Sequence, residues 1–139
     1  MKSEFFILEH PSDIGIEARG ASLAEAFAAA AKGLMSVIVD ASTVEAKKKR
    51  SVSIQASDRG QLLVRWLQEI LYLYDGQKFI SKEFSVRDLT ATSLTAEVRG
   101  EVFSLSRHRT LMDVKAVTYH QLAVGTDTEG DYVRVFLDI

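Results

Sequence analysis

Two capped amphipathic helices, each set between β-patterned segments, constrain this fold more than any other feature of the chain. Ser22 followed by Glu25 forms a capping box. After it, Leu23, Ala26, Phe27, Ala30, Leu34, Met35 and Ile38 fall at helical spacing. The alanines from 28 to 31 let that helix lie close to whatever it covers. Asp58 and Gln61 form a second cap pair. The stripe after them, Leu62, Leu63, Trp66, Leu67, Ile70, Leu71 and Tyr74, is broad enough to pack on a sheet. Asp75-Gly76 is expected to end this helix, with glycine as a left-handed cap.

The rest of the chain reads as strands and turns. Phe5 to Leu8 is a short apolar run. From Asp13 to Arg19 the pattern alternates, so Ile14, Ile16 and Ala18 share one face and Asp13 points to the other. A turn near Asp40 precedes the basic run Lys47-Lys48-Lys49-Arg50, the solvated start of a strand through Val52 and Ile54. Four further strands are expected over 79–89, 94–103, 114–124 and 132–139, with polar turns at 90–93 and 126–131. The order β-β-α-β-α-β-β-β-β, with strands running consecutively at the end, predicts an α+β fold. Its expected form is a mostly antiparallel sheet with two amphipathic helices on one face, a single-layer sheet/helix sandwich.

At 139 residues the expectation is a single domain over 1–139, long enough to bury a core. A net charge of −2 argues against a protein that grips nucleic acid by bulk charge. Without cysteine there is no disulfide framework, thiolate metal site or cysteine nucleophile. The polar start Met1-Lys2-Ser3-Glu4 does not read as a signal peptide, and no apolar run is long enough to span a membrane. A cytoplasmic location is the expectation.

The chemistry-bearing residues gather at the ends. Asp13 lies near the start, and the sequence closes on Asp138-Ile139, a carboxylate one residue before a main-chain carboxylate. If the closing strand is held in a sheet and Asp13 folds against it, three oxygen donors converge, as Ca²⁺ or Mg²⁺ requires. The alternative is that Asp138 is an ordinary solvated residue at a strand end. Lys115 and Tyr119 would be same-face neighbours on a strand over 114–124, about 7 Å apart. Lys115 there is either an anion contact or a surface lysine.

Three histidines occur, at 10, 108 and 120, and no pair has metal-ligand spacing. His10 adjoins a turn that it can orient by a hydrogen bond. His120 reads equally well as a satisfied, partly buried residue. No Ser-His-Asp order and no phosphate-binding glycine loop is present. The basic segment Ser104 to Arg109 is either a contact for RNA phosphate or an acidic partner, or a solvated loop.

Taken in order, several segments resemble the archease family over essentially the whole chain. They are Glu9-His10 with Asp13; Gly20 with Ser22-Leu23 and Glu25-Ala26-Phe27; Leu62-Leu63 with Trp66-Leu67; Val114-Lys115-Ala116-Val117-Thr118-Tyr119-His120; and the closing Asp138-Ile139. The last two are the most specific. The chain departs from many relatives in having Pro11-Ser12 before Asp13, which stiffens the approach without removing a ligand.

The resemblance implies a non-catalytic accessory protein of an RtcB-type RNA ligase. That ligase joins 2′,3′-cyclic phosphate or 3′-phosphate ends to 5′-hydroxyl ends in tRNA splicing and RNA repair, using GTP and divalent metal. The accessory protein promotes its guanylylation and multiple turnover. The resemblance also implies a divalent metal (Ca²⁺, with Mg²⁺ or Mn²⁺ in function) on Asp13, Asp138 and the carboxylate of Ile139, and a functional surface of Lys115, Tyr119 and His10. RNA would be contacted only indirectly or weakly, and no membrane is involved. Two other functions compete: a chaperone or modulator of an RNA-modifying enzyme such as a tRNA methyltransferase, and a stand-alone metal-dependent hydrolase. The first predicts a large exposed apolar patch; the second needs a base or nucleophile that the sequence does not display.

Overall fold

The computed structural model describes residues 3–9 and 13–139. Among the described residues are two long helices and eight strands, one strand more than the predicted order contains: β1 (Glu4–Glu9), β2 (Asp13–Gly20), α1 (Leu23–Ile38), β3 (Lys48–Gln55), α2 (Arg59–Asp75), β4 (Phe79–Arg87), β5 (Ser93–Val102), β6 (Ala116–Val117), β7 (Ala123–Asp127) and β8 (Gly130–Asp138). Both helix starts form as their caps dictate. The Ser22 side chain accepts the Glu25 N–H, and Asp58 accepts the Gln61 N–H at 2.8 Å. The turn at Asp40 is a single 3₁₀ turn, Ala41–Thr43, capped by the Asp40 carboxylate.

The fold is α+β and every strand pairing is antiparallel, but the strands fall into two sheets rather than one. The first runs β1-β2-β8-β6, with β7 also on β8; the second runs β3-β5-β4. Each helix touches both sheets: α1 packs on β2 and β4, α2 on β3, β4 and β6. The expected arrangement, one sheet with both helices on one face, thus becomes two sheets with the helix pair in contact with each. The reason lies in α1. Ala26, Phe27, Ala29, Ala30, Gly33, Leu34 and Val37 are all buried, so apolar surface runs around most of its circumference and needs cover on more than one side.

Trp66 joins the two helices. Its ring is fully buried and its indole N–H donates to the Phe27 carbonyl oxygen at 2.9 Å. Ile16, Val98, Val133, Val135 and Leu137 close the core from both sheets.

The end of α2 differs from expectation. Gly76 has φ −88°, an ordinary right-handed conformation, and the left-handed residue is Lys78, at φ 58°. The strand expected over 114–124 is also broken. It survives as β6 and β7, separated by a turn in which Gln121 has φ 50°. The break follows Thr118: its N–H and its hydroxyl both donate to the Phe136 carbonyl oxygen, at 3.0 and 2.9 Å, and the hydroxyl accepts the His120 N–H, which is satisfied locally instead of through a ladder.

Candidate functional site

β8 is the strand on which the site is built. It pairs with β2 on one side and with β6 and β7 on the other. The β2–β8 register places Asp13 directly opposite Asp138, and the β6–β8 register places Ala116 opposite Asp138 on the other side. Ile14, Ile16, Val135 and Leu137 are buried on the inner face. By strand alternation Asp13 and Asp138 therefore share the outer face. Directly opposed residues have Cβ atoms about 5 Å apart, and two like charges there repel.

The Asp13 carboxylate has a second unusual property. Its Oδ1 is buried and has no hydrogen-bond partner among the described residues. A buried oxygen of a charged group normally has one. The only other such side-chain atom among the described residues is Ser81 Oγ, beside a bulge in β4. Asp138 is exposed and its neighbour Ala116 is small, so the carboxylate pair stays open on that side. The Asp138 main chain is fixed, because its carbonyl oxygen accepts the Lys115 N–H at 2.8 Å. Ile139 follows the end of β8 and packs partly buried against the core.

These residues fit a hard divalent cation. Two opposed carboxylates supply the negative charge, and one of them has a buried oxygen lacking any other partner among the described residues. Among the described residues no group of three His, Cys, Asp or Glu side chains converges.

The remaining expected site residues are less closely grouped. Lys115 is exposed next to buried Val114 and borders a shallow groove of about 290 Å³ with Leu71, Tyr72 and Asp75. Tyr119 is also exposed, but the break at Thr118 removes it from any strand shared with Lys115. His120, for which a partly buried position is one of the readings of the sequence, is exposed, with its ring packed edge-on to buried Phe136 at 5.8 Å. The turn carrying both is fixed to β8, because Arg134 donates through Nε to the Gln121 carbonyl oxygen at 3.1 Å. His10 lies outside the described residues.

The basic loop from Ser104 to Arg109 holds a cluster that the sequence did not disclose. Glu101 is buried and accepts from the Glu45 N–H, from Arg107 and from His108 Nε2 at 2.8 Å. His108 Nδ1 accepts the Ser104 N–H at 2.8 Å, so the ring proton sits on Nε2 and donates to Glu101. The Arg107 hydrogen bond, then that of His108, hold the Glu101 carboxyl well below its ordinary range, at about 2. Two side chains expected to face solvent or RNA, the Arg107 cation and the His108 ring, are thus drawn onto a buried carboxylate. The one signal for this was a glutamate between Gly100 and the apolar pair Val102-Phe103. At Gly100 a Cβ would lie 1.8 Å from the Ile80 carbonyl oxygen, so the neighbouring strand approaches too closely there for any side chain.

The profile of the Archease protein family matches residues 5–139. The chain is 39% identical over 132 residues to the protein archease of Sulfurisphaera tokodaii, covering 94% of this chain and 92% of that protein. It is 36% identical over 135 residues to the protein archease of Sulfolobus acidocaldarius, covering 96% and 95%. The solution structure of Methanobacterium thermoautotrophicum protein 1598 superposes with a TM-score of 0.82 at 34% identity, covering 99% of this chain and 98% of that one. A crystal structure of an archease from Thermotoga maritima, described as a possible chaperone, matches with a TM-score of 0.61 over 95% and 94% of the two chains; at 14% identity it shows the shared fold alone.

Proposed function

The chain belongs to the archease family, and from that membership we propose that it is a non-catalytic activator of an RtcB-type RNA ligase, acting through a divalent cation held by Asp13, Asp138 and Ile139. One observation supports this reading above the others. A buried carboxylate oxygen of Asp13 has no partner among the described residues, and its strand neighbour is a second carboxylate. In the absence of a cation that arrangement costs stability, both through repulsion and through an unsatisfied buried acceptor. Such a cost is the mark of a site arranged for a ligand rather than for folding.

When bound, the cation supplies charge neutralisation of the kind on which phosphoryl and nucleotidyl transfer depend. The protein's own groups do the positioning. The β2–β8 ladder fixes the two carboxylates, and the Lys115 N–H anchors the main chain of Asp138. The exposed Lys115 ammonium stands ready for an anionic group of the ligase, its nucleotide or its RNA. Ca²⁺, Mg²⁺ and Mn²⁺ all suit oxygen donors of this type.

A turnover assay tests the proposal. Purified RtcB-type ligase is given GTP, divalent metal and excess RNA carrying 3′-phosphate or cyclic-phosphate and 5′-hydroxyl ends. Addition of this protein should carry the ligase through repeated turnovers, and the Asp13→Asn variant should not. Ligation unaffected by the wild-type protein sinks the activator reading. Conversion of the RNA ends without ligase establishes the hydrolase instead.

A further inference from the structure

β1 is a six-residue edge strand, Glu4-Phe5-Phe6-Ile7-Leu8-Glu9, with β2 as its one neighbour among the described residues. Along an antiparallel strand successive peptide groups point to opposite edges, so about half of those in β1 face away from β2. Edges of this kind are usually blunted by charges, proline or a covering element. Here the centre is apolar and open on both faces. Phe6, aligned with Glu17, is 44% exposed on the outer face; Ile7, aligned with core residue Ile16, is 38% exposed on the inner one.

Beside this edge runs a groove of about 460 Å³. Glu4 and Phe5 form one wall, Ala28, Ala29 and the exposed Lys32 of α1 the floor, and Lys82, Glu83 and Phe84 of β4 the other wall. The alanine floor leaves room for large side chains descending from above. The Lys82 ammonium is already taken up by the Val44 carbonyl oxygen at 2.6 Å. At the near wall Glu4 is exposed, and its cross-strand neighbour Arg19 is engaged by Asp127 at 2.9 Å.

We propose that an extended segment of a partner protein, apolar in its centre and basic at its ends, adds to the free edge of β1 and lays its inward side chains in the alanine-floored groove. Backbone hydrogen bonds along the edge supply affinity, and the alternating side chains supply specificity. The charge pattern of β1 selects the occupant. The strand carries a glutamate at each end and no basic residue, so a second copy of this chain has no cation to place opposite Glu4. Within one continuous sheet a two-fold axis pairs residues of the same face. Glu4 would then stand opposite Leu8, or Glu9 opposite Phe5, each a carboxylate position against an apolar one. The surface is distinct from the carboxylate pair, and the inference does not rest on the ligase reading.

The test uses the intact protein labelled with ¹⁵N. One probe is a short peptide of alternating valine and threonine with lysine at each end; the other is the same peptide with glutamate ends. The lysine-ended peptide should shift the amide signals of residues 4–8 and of Ala28 and Ala29, with affinity about fivefold above that of the glutamate-ended one. Ile7→Lys should remove the shifts at unchanged melting temperature. Glu4→Lys, at an exposed position, should reverse the peptide preference and keeps the question decidable if Ile7→Lys perturbs the fold. The proposal is overturned by shifts that miss β1, by equal affinity for the two peptides, or by β1 signals that move with protein concentration alone, which would make the occupant a second copy.

Discussion

Asp13 and Asp138, 125 positions apart in sequence, stand opposite each other on adjacent strands, and a buried oxygen of Asp13 has no partner among the described residues. Two charges of the same sign are thereby held together by the ladder between β2 and β8, whose other residues form much of the core. The sheet tolerates the repulsion because burial of Ile14, Ile16, Val135 and Leu137 in the same two strands far outweighs it.

Removing this repulsion should separate stability from binding. Asp13→Asn is expected to leave the metal-free protein as stable as wild type or about 1 kcal/mol more so. It should abolish the rise in melting temperature that divalent cations give the wild type. At a cation concentration about 100-fold above Kd that rise corresponds to about 2.7 kcal/mol. Asp138→Asn should do the same. Calorimetric melting with and without Ca²⁺, Mg²⁺ or Mn²⁺ reads both quantities, and an undiminished cation response in either variant removes that residue from the site.

The main-chain oxygens of Ile139 give a second test. In a protein made to end at Ile139 the final group is a carboxylate; residues appended there turn it into a neutral amide carbonyl. Loss of that charge should weaken cation binding several-fold while the fold persists, since β8 ends at Asp138. An N-terminal extension is the control. Isothermal titration of the two forms decides the matter, and equal affinities would leave Asp13 and Asp138 as the whole site.

Lys115 and Lys49 are both exposed lysines in different settings. Lys115 adjoins the carboxylate pair through its N–H on the Asp138 carbonyl, whereas Lys49 lies on β3 with Glu97 at 3.9 Å. A distant exposed pair of this kind contributes little. Lys115→Ala should therefore reduce ligase activation at least about tenfold and Lys49→Ala hardly at all, a difference of about 1.4 kcal/mol. Equal, small effects in the turnover assay would return Lys115 to the role of a solvating charge.

The Glu101 cluster sets an acid limit on stability. The carboxyl, ordinarily at 4.5, is lowered to about 2 in the folded state, first by Arg107 and then by His108. A depressed carboxylate contributes stability that is fully present above pH 4.5 and is lost as pH falls from there towards 2. Glu101→Gln should cost about 2 kcal/mol at neutral pH, because Arg107 and His108 lose their charged acceptor. It should also flatten the acid limb of the stability curve in that window. Urea melts of both proteins between pH 2 and pH 7 would show it; parallel curves would mean that other carboxylates govern acid unfolding.

Local chemistry settled much of this structure before any tertiary contact formed. The caps at Ser22 and Asp58 and the 3.6-residue apolar stripes placed both helices, since cap hydrogen bonds and helical periodicity involve residues only a few positions apart. Alternation from Asp13 to Arg19 put Asp13 on the face away from the core for the same reason. Local pattern does not report which strands become neighbours. The division into two sheets followed from the apolar circumference of α1. The break after Thr118 involves a hydroxyl that bonds to β8, 18 residues further on, and accepts the His120 N–H. The recruitment of Arg107 and His108 by Glu101 needed the loop after β5 to fold back over that buried carboxylate. The candidate site depends on both kinds of information. The carboxylates were legible as residues near the two ends of the sequence. Their opposition required the register between β2 and β8, which side-chain burial along two whole strands fixes and no short segment contains.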